Sequence, residues 1–140
     1  MSVPRSNVDA VFVYGTLKRG QCRAGMWQES PHRIDDAWVR GELYGRVDYP
    51  ALLPGGFKVR GEMWRFGRQQ MPVVLKVLDQ IEGTTDNAVD DLYHRVIIDA
   101  FDPAGEPLGV AYTYRYNRDV DADGFHRVAA EDGFQVWPTP

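Results

Sequence analysis

The sequence predicts an α+β protein, a small β-barrel accompanied by one or two short helices. Five short segments rich in β-branched and aromatic residues are separated by Gly and Pro: 11–14, 37–44, 58–66, 93–101 and 108–116. Only the segment 72–82 has the apolar spacing of a convincing amphipathic helix. Short strands at this density are typical of a closed or nearly closed sheet rather than of a layered α/β fold.

The length of 140 residues predicts a single domain, 1–140, that is long enough to bury its own core. Residues 1–9 read as a loose leader. The polar, Gly- and Asp-rich segment 117–140 is predicted to be a partly ordered tail, with Phe134 and Trp137 as anchors. No apolar run approaches membrane-spanning length, and the N-terminus lacks a signal-peptide core, so we expect no membrane association.

Charge, cysteine content and histidine spacing limit the partners, the compartment and the kinds of site that the sequence predicts. A formal net charge of −4 disfavours a nucleic-acid partner, because phosphate binding needs a concentrated basic surface. Cys22 is the only cysteine, which favours a reducing, cytoplasmic compartment, and without a nearby His it is interpreted as a spectator thiol. His32, His94 and His126 lack any ligand spacing, so no metal site is predicted.

The first predicted strand, 11–14, is buried in character and ends at Gly15, which can adopt backbone angles closed to other residues. Thr16 and a turn rich in Lys, Arg and Gly follow. A strand that stops this abruptly leaves backbone N–H groups free to hold a carboxylate or an oxyanion. The alternative is an ordinary strand that runs into a turn.

Two segments of the middle strands resemble each other: 40–45 (RGELYG) and 60–65 (RGEMWR). Glu42 and Glu62 have the chemistry of an acid/base pair, but strand alternation favours a solvent-facing position for both. The intervening segment 48–56 is predicted to be an apolar loop stiffened by two prolines, either a pocket wall or an ordinary packed hairpin loop.

The last two predicted strands carry candidate binding residues. Arg95 either reaches a substrate carboxylate or covers the barrel surface. Tyr112, Tyr114 and Tyr116 share one face of their strand, which indicates core or barrel exterior unless one hydroxyl lines a cavity.

The helix places a carboxyl group in an unusual position. Pro72 suits its first turn and Gly83 its end, and its apolar residues form one continuous arc: Val73, Val74, Leu75, Val77, Leu78 and Ile81. Glu82 falls inside this arc, at the negative end of the helix dipole. Burial and the dipole both raise the pKa of a carboxyl in such a place, which suits a general base. The alternative is a frayed last turn that turns Glu82 into water.

The order of these parts resembles the gamma-glutamylcyclotransferase-like family, and within it the gamma-glutamylamine cyclotransferase (AIG2-like) branch. The resemblance is carried by FVYGTLKRGQ (12–21) and LDQIEG (78–83), and supported by YPAL (49–52), VRGEMW (59–64), YHR (93–95) and AYTY (111–114). It covers roughly residues 11 to 134.

The resemblance implies a small mixed β-barrel with a substrate cavity at one side. It implies that Glu82 is the catalytic residue and that the first turn binds the gamma-glutamyl group, here through Tyr14, Gly15, Thr16 and Leu17. Tyr114 is the residue of its strand that we expect to face the cavity.

The implied reaction is lyase-class intramolecular acyl transfer, in which a small gamma-glutamyl amine or amino acid is converted into 5-oxoproline with release of the free amine. We expect no metal or other cofactor, and a monomer or a homodimer. The alternative function is a non-catalytic module that binds a small ligand in the same cavity.

Overall fold

The structure, a computed structural model, describes residues 8–15, 17–18, 21, 27 and 29–138. It contains seven strands and one helix within those residues. They are β1 (Ala10–Val13), β2 (Arg33–Gly45), β3 (Pro50–Arg65), α1 (Met71–Glu82), β4 (Tyr93–Phe101), β5 (Pro107–Tyr116), β6 (His126–Arg127) and β7 (Phe134–Gln135). The sequence allows one or two further helical turns in the polar segment 21–29, but most of this segment lies outside the described residues, as do Thr16 and Cys22.

Five of the strands form a closed barrel. β2, β4, β5, β1 and β3 are hydrogen-bonded in that order, and β3 also pairs with β2. β1 runs parallel to β5, whereas the other pairs within the barrel are antiparallel. β6 pairs with the end of β2, at Tyr44 and Gly45, and β7 pairs with the middle of β3, at Lys58 and Val59. The prediction of a small mixed β-barrel is therefore confirmed.

Strand alternation divides the apolar residues into two cores. One cluster draws on all five barrel strands and fills the barrel, with Phe12, Val39, Met63, Ala100 and Ala111 among its members. The second cluster joins α1 to the outer face of β1 and β5. The helix is thus held against the outside of the barrel, and its last turn lies near the end of β1.

The helix α1 begins one residue before the predicted start and ends at the predicted residue. Gly83 takes a left-handed conformation at φ 69°, which suits a helix end because glycine has no Cβ to clash. The predicted apolar arc is wider than the buried stripe. Val74 and Leu78 are buried, but Val73 is 44% exposed because the barrel covers only one side of the helix.

The prediction of a loop over 48–56 is wrong from residue 50 onward, because β3 already begins at Pro50. Pro and Gly are depleted in strands, and the segment 54–56 carries both. The sheet accommodates them with an irregularity. Glu42 pairs with Leu53 and Gly41 with Phe57, so the three residues between are extra on the β3 side.

The solvent-facing position predicted for Glu62 is also wrong, because its residue is only 8% exposed. The indole N–H of Trp64 donates to the Glu62 carboxylate at 3.1 Å. Alternation places Glu62 on the face opposite Met63, but this face is covered as well. Glu42 is half-buried and accepts a hydrogen bond from the Tyr44 hydroxyl at 2.7 Å.

The tail contacts the rest of the chain near its end. Trp137 is buried, and its indole N–H donates to the carbonyl of Arg46 at 3.0 Å. The carbonyl of Trp137 in turn accepts a hydrogen bond from the Lys18 ammonium. Separately, within the described part of the chain no helix has the length and apolar character needed to cross a membrane.

Candidate active site

A cavity of about 230 Å³ lies where β1 ends, β3 and β4 begin, and α1 finishes its last turn. Its wall is mostly apolar and aromatic. Among the described residues that line it, Glu82 is the one charged side chain. The lining residues are Phe12, Val13, Tyr14, Gly15, Leu17, Tyr49, Pro50, Ile81, Glu82, Leu92, Tyr93 and Tyr114.

Glu82 is the last residue of α1 and is half-buried in the cavity wall. The chain just after it is fixed by two hydrogen bonds from Thr84. Its backbone N–H donates to the carbonyl of Asp79 at 2.8 Å, and its hydroxyl donates to the carbonyl of Tyr93 at 2.8 Å. These bonds hold the helix end against β4, so the structure does not have the frayed last turn that was the alternative for Glu82.

The turn after β1 lies in the same cavity wall as Glu82. Tyr14, Gly15 and Leu17 line the cavity, and the Lys18 N–H closes the turn onto the Gly15 carbonyl at 3.1 Å. A Cβ at position 15 would lie 2.7 Å from the ring of Pro50, so the close approach of β3 requires glycine there. Thr16, which was also predicted to bind substrate, lies outside the described residues.

Three tyrosine hydroxyls at the cavity are held by protein acceptors. Tyr14 donates to the carbonyl of Tyr114, and Tyr93 donates to the carbonyl of Pro50 at 2.8 Å. Tyr114 donates to the Asp79 carboxylate at 2.7 Å. Burial raises the pKa of all three phenols, and the nearby charge of Glu82 raises each pKa further. All three therefore stay protonated at physiological pH.

Arg95 fits neither of its two predicted positions. It does not line the cavity, and it is not simply exposed on the barrel surface. Its guanidinium lies 2.7 Å from Asp79, at the carboxylate oxygen that Tyr114 does not use, and stacks over the ring of Tyr112. Because Asp79 is one helical turn before Glu82, this ion pair ties the end of α1 to β4 and β5. Tyr114 lines the cavity, as expected for its strand; Tyr112 and Tyr116 do not.

The other acidic and histidine candidates do not line this cavity. Glu42 and Glu62 lie elsewhere on the barrel, and so do His32, His94 and His126. Within residues 8–15, 17–18, 21, 27 and 29–138, no cluster of three or more His, Cys, Asp or Glu is placed to hold a metal ion.

Sequence reasoning missed Tyr93 and Asp79, and it included Tyr49 only within the segment 48–56, which was offered as a pocket wall. Tyr49 and Tyr93 line the cavity, and Asp79 fixes the hydroxyl of Tyr114. Tyr93 opens a strand two residues before Arg95, and in that strand the charge of the arginine indicated a binding residue whereas the tyrosine resembled ordinary strand sequence. The signal for Asp79 was its position one turn before Glu82, which places both carboxylates near one end of the helix.

The family described as "Gamma-glutamyl cyclotransferase, AIG2-like" matches residues 11–135 of this chain. The chain is also 29% identical, over 112 residues, to the gamma-glutamylcyclotransferase family protein YtfP of Escherichia coli K12. That match covers 79% of this chain and 85% of YtfP.

Solved structures share the fold. An AIG2-like protein from Mus musculus superimposes with a TM-score of 0.64 at 21% identity, covering 94% of this chain and 96% of that one. YkqA from Bacillus subtilis superimposes with a TM-score of 0.59 at 20% identity, and 78% of this chain is covered. The matched region spans only 36% of YkqA.

Proposed function

Because the chain belongs to the gamma-glutamyl cyclotransferase, AIG2-like family, we propose that it converts a small gamma-glutamyl amine or amino acid into 5-oxoproline and the free amine. The observation that carries this proposal is the shared cavity of Glu82 and the Gly15 turn. The Glu82 carboxylate and the turn residues Gly15 and Leu17 line one small space there. No further chemical group is needed for the reaction that follows.

The reaction is favoured by proximity, because nucleophile and electrophile belong to one molecule. The α-amino group of a gamma-glutamyl compound attacks its own γ-carbonyl carbon and closes a five-membered ring. The protein has to hold the substrate in the folded, ring-closing conformation rather than bring two molecules together. A cavity of about 230 Å³ has the small size that such a compact conformation requires.

Glu82 acts as the general base and then as the general acid. The substrate amine arrives as an ammonium and cannot attack until it loses a proton to the Glu82 carboxylate. The C–N bond of the ring forms, and the γ-amide C–N bond breaks as Glu82 gives its proton to the leaving nitrogen. The ring nitrogen then loses its second proton through the restored Glu82 carboxylate to the released amine, which leaves as an ammonium. The helix end that carries Glu82 is fixed by Thr84, which suits a group that must reach two nitrogens in turn.

The turn after β1 would provide hydrogen-bond donors, which complement the proton acceptor Glu82. Backbone N–H groups of Gly15 and Leu17 would stabilise either the α-carboxylate of the substrate or the oxyanion that forms on the γ-carbonyl oxygen. Tyr14 and Leu17 position this turn, and the close contact of Gly15 with Pro50 fixes its distance from β3.

Amines are proposed as leaving groups in preference to amino acids. A leaving amino acid brings a second carboxylate, and the one charged side chain among the described lining residues is the acidic Glu82. A neutral or cationic amine avoids that repulsion. A cytoplasmic location, and a monomeric or homodimeric state, stay predictions from the sequence.

The test is to incubate the protein with a panel of gamma-glutamyl amines and amino acids and to assay 5-oxoproline. We expect turnover with amines, and Glu82→Gln is expected to lower kcat by roughly 10²- to 10⁴-fold, the usual contribution of general acid–base catalysis. Ligand binding should persist, because Gln is nearly isosteric with Glu. Glu106→Gln is the matched control, since Glu106 is exposed and does not line the cavity.

A full rate in Glu82→Gln would mean that Glu82 is not the base. If no panel member reacts although the compounds bind, the alternative of a non-catalytic binding module is favoured instead.

A further inference from the structure

Tyr93 has a different environment from the other tyrosines of the cavity. It is the first residue of β4, is 5% exposed and lines the cavity together with Glu82. Its hydroxyl donates to the carbonyl of Pro50 at 2.8 Å. A phenol has a single proton, so once this proton is given to Pro50, the oxygen can only accept a further hydrogen bond.

Tyr14 and Tyr114 lack that spare capacity towards a ligand. The Tyr14 oxygen donates to the Tyr114 carbonyl and also receives a hydrogen bond from the backbone N–H of Leu52. The Tyr114 hydroxyl is directed to Asp79, which lies outside the cavity lining. Of the three hydroxyls fixed by the protein at this cavity, that of Tyr93 is the one that combines a committed proton with an available acceptor.

We propose that the phenolic oxygen of Tyr93 accepts a hydrogen bond from the α-ammonium group of the substrate and holds this group beside Glu82. This inference rests on the proposed function. An ammonium has three N–H donors and no acceptor, so it matches an oxygen that can only accept. Glu82 and Tyr93 line the same small cavity, so an ammonium bound there can contact both side chains.

The arrangement gives Tyr93 a defined part in the reaction. Glu82 removes one proton from the ammonium, and the resulting amine keeps two N–H bonds and gains a lone pair. A hydrogen bond from one remaining N–H to Tyr93 restricts rotation of the amine and directs its lone pair at the γ-carbonyl carbon. Tyr93 gains and loses no proton, and burial keeps the pKa of its phenol above the ordinary value. It is therefore a positioning residue.

The experiment uses a pair of ligands that differ only in the α-amino group: gamma-glutamyl methylamide and its des-amino analogue, N-methylglutaramate. Dissociation constants are measured by calorimetry in a Glu82→Gln background, which prevents turnover. Tyr93→Phe is then added and compared with Tyr49→Phe. Tyr49 lines the same cavity, but within the described residues its hydroxyl has no hydrogen-bond partner, which makes it a matched control.

We expect Tyr93→Phe to weaken binding of the amino ligand by roughly 10-fold or more, because hydrogen bonds to charged groups are among the stronger ones. Binding of the des-amino ligand should change by no more than about twofold, since it makes no such bond. Tyr49→Phe should affect the two ligands equally. Urea unfolding of each variant checks that the fold is retained.

Equal effects of Tyr93→Phe on both ligands would overturn the proposal, because they would show a purely structural role for the hydroxyl. The proposal would also be overturned if the Glu82→Gln protein with Tyr93 intact bound the two ligands equally well. Failure of the proposed function is separate from both results: the wild-type protein would then make no 5-oxoproline from gamma-glutamyl methylamide, whatever the binding pattern.

Discussion

The cavity and the outer face of the β2–β3 ribbon both combine aromatic rings with polar groups, but they hold the polar groups differently. At the cavity, the hydroxyls of Tyr93 and Tyr114 each donate to one fixed acceptor, Pro50 and Asp79 respectively. These bonds are directional, and each group is largely removed from water. Loss of a single atom there leaves a buried partner unsatisfied.

On the ribbon face, which we define as Trp38, Arg40, Lys58, Arg60 and Phe134, cations lie over rings. Arg60 is 4.2 Å from the Phe134 ring centroid, and Lys58 is 4.9 Å from that of Trp38. None of the three cations forms an ion pair with a described residue. Arg40 and Arg60 are exposed and Lys58 is half-buried, so each contact contributes little. The comparison indicates that the contribution of these polar groups to stability depends on how they are fixed rather than on their number.

The largest expected effect comes from a pair of substitutions at two glycines of β3, Gly61 on the cavity side and Gly56 on the ribbon side. A Cβ at Gly61 would lie 2.3 Å from the Val13 carbonyl oxygen, and this backbone atom belongs to the strand that leads to the Gly15 turn. Because a backbone atom cannot move aside cheaply, we expect Gly61→Ala to lower the free energy of unfolding by about 3 kcal/mol or more.

Gly56→Ala is the control, since nothing lies within 4 Å of a Cβ built there. Its effect should stay within about 0.5 kcal/mol. Urea denaturation measures both variants, and similar losses in the two would remove the distinction between the cavity side and the ribbon side.

The next effect concerns two aspartates with arginine partners. Asp79→Ala removes the acceptor of the Tyr114 hydroxyl as well as the partner of Arg95, so a buried donor is left unsatisfied. We expect a loss of roughly 1–3 kcal/mol in the free energy of unfolding. Asp48→Ala breaks a 2.8 Å pair with Arg46 in which Asp48 is 52% exposed, and it should lose at most about 1 kcal/mol. An equal or larger loss in Asp48→Ala would contradict this ranking.

A smaller and local effect is expected in acid. Hydrogen bonding from the Thr85 hydroxyl, followed by the backbone amides of Thr85 and Ala88, lowers the pKa of Asp91. A folded-state pKa below the unfolded one stabilises the loop above the unfolded pKa, and this stabilisation is lost as the pH falls through the lowered value. Hydrogen-exchange protection of the Thr85 and Ala88 amides should therefore fall below about pH 4.

In Asp91→Asn the same two amides should show weak protection at every pH, while the amides of the ribbon serve as the internal reference. Protection that stays constant from pH 6 to pH 3 in the wild-type protein would argue against the role of Asp91.

The smallest effect is expected on the ribbon face itself. Arg60→Ala removes an exposed contact with Phe134, so the free energy of unfolding should fall by no more than about 1 kcal/mol. The rate of 5-oxoproline formation should be unchanged, because Arg60 does not line the cavity. A large loss of activity in this variant would place part of the site on the ribbon.

Local patterns in the sequence were enough to predict most of the barrel. The strand over 93–101 was predicted with its observed bounds, because it is rich in β-branched and aromatic residues and turn residues flank it. The start of β3 was not predicted, because Pro54 and two glycines break the pattern of a strand whose pairing with β2 is nonetheless maintained by an irregularity.

The candidate site was also predicted only in part, from local patterns in the sequence. The helix pattern singled out Glu82, since a carboxylate within an apolar arc is unusual. The burial of Glu62 could not be predicted, because alternation tells which face a residue occupies but not whether another segment covers that face. Tyr93 was missed because its importance depends on where its proton goes, to a carbonyl 43 positions away in the chain.

The most direct test of the central claim, intramolecular attack by the substrate amine, is to run the reaction in H₂¹⁸O and weigh the product by mass spectrometry. A gamma-glutamyl amine should give unlabelled 5-oxoproline, since no water enters the new bond, and its α-N-acetyl derivative should give no product. Glutamate carrying one ¹⁸O atom, or release of amine from the acetylated compound, would show hydrolysis by water and contradict the proposed mechanism.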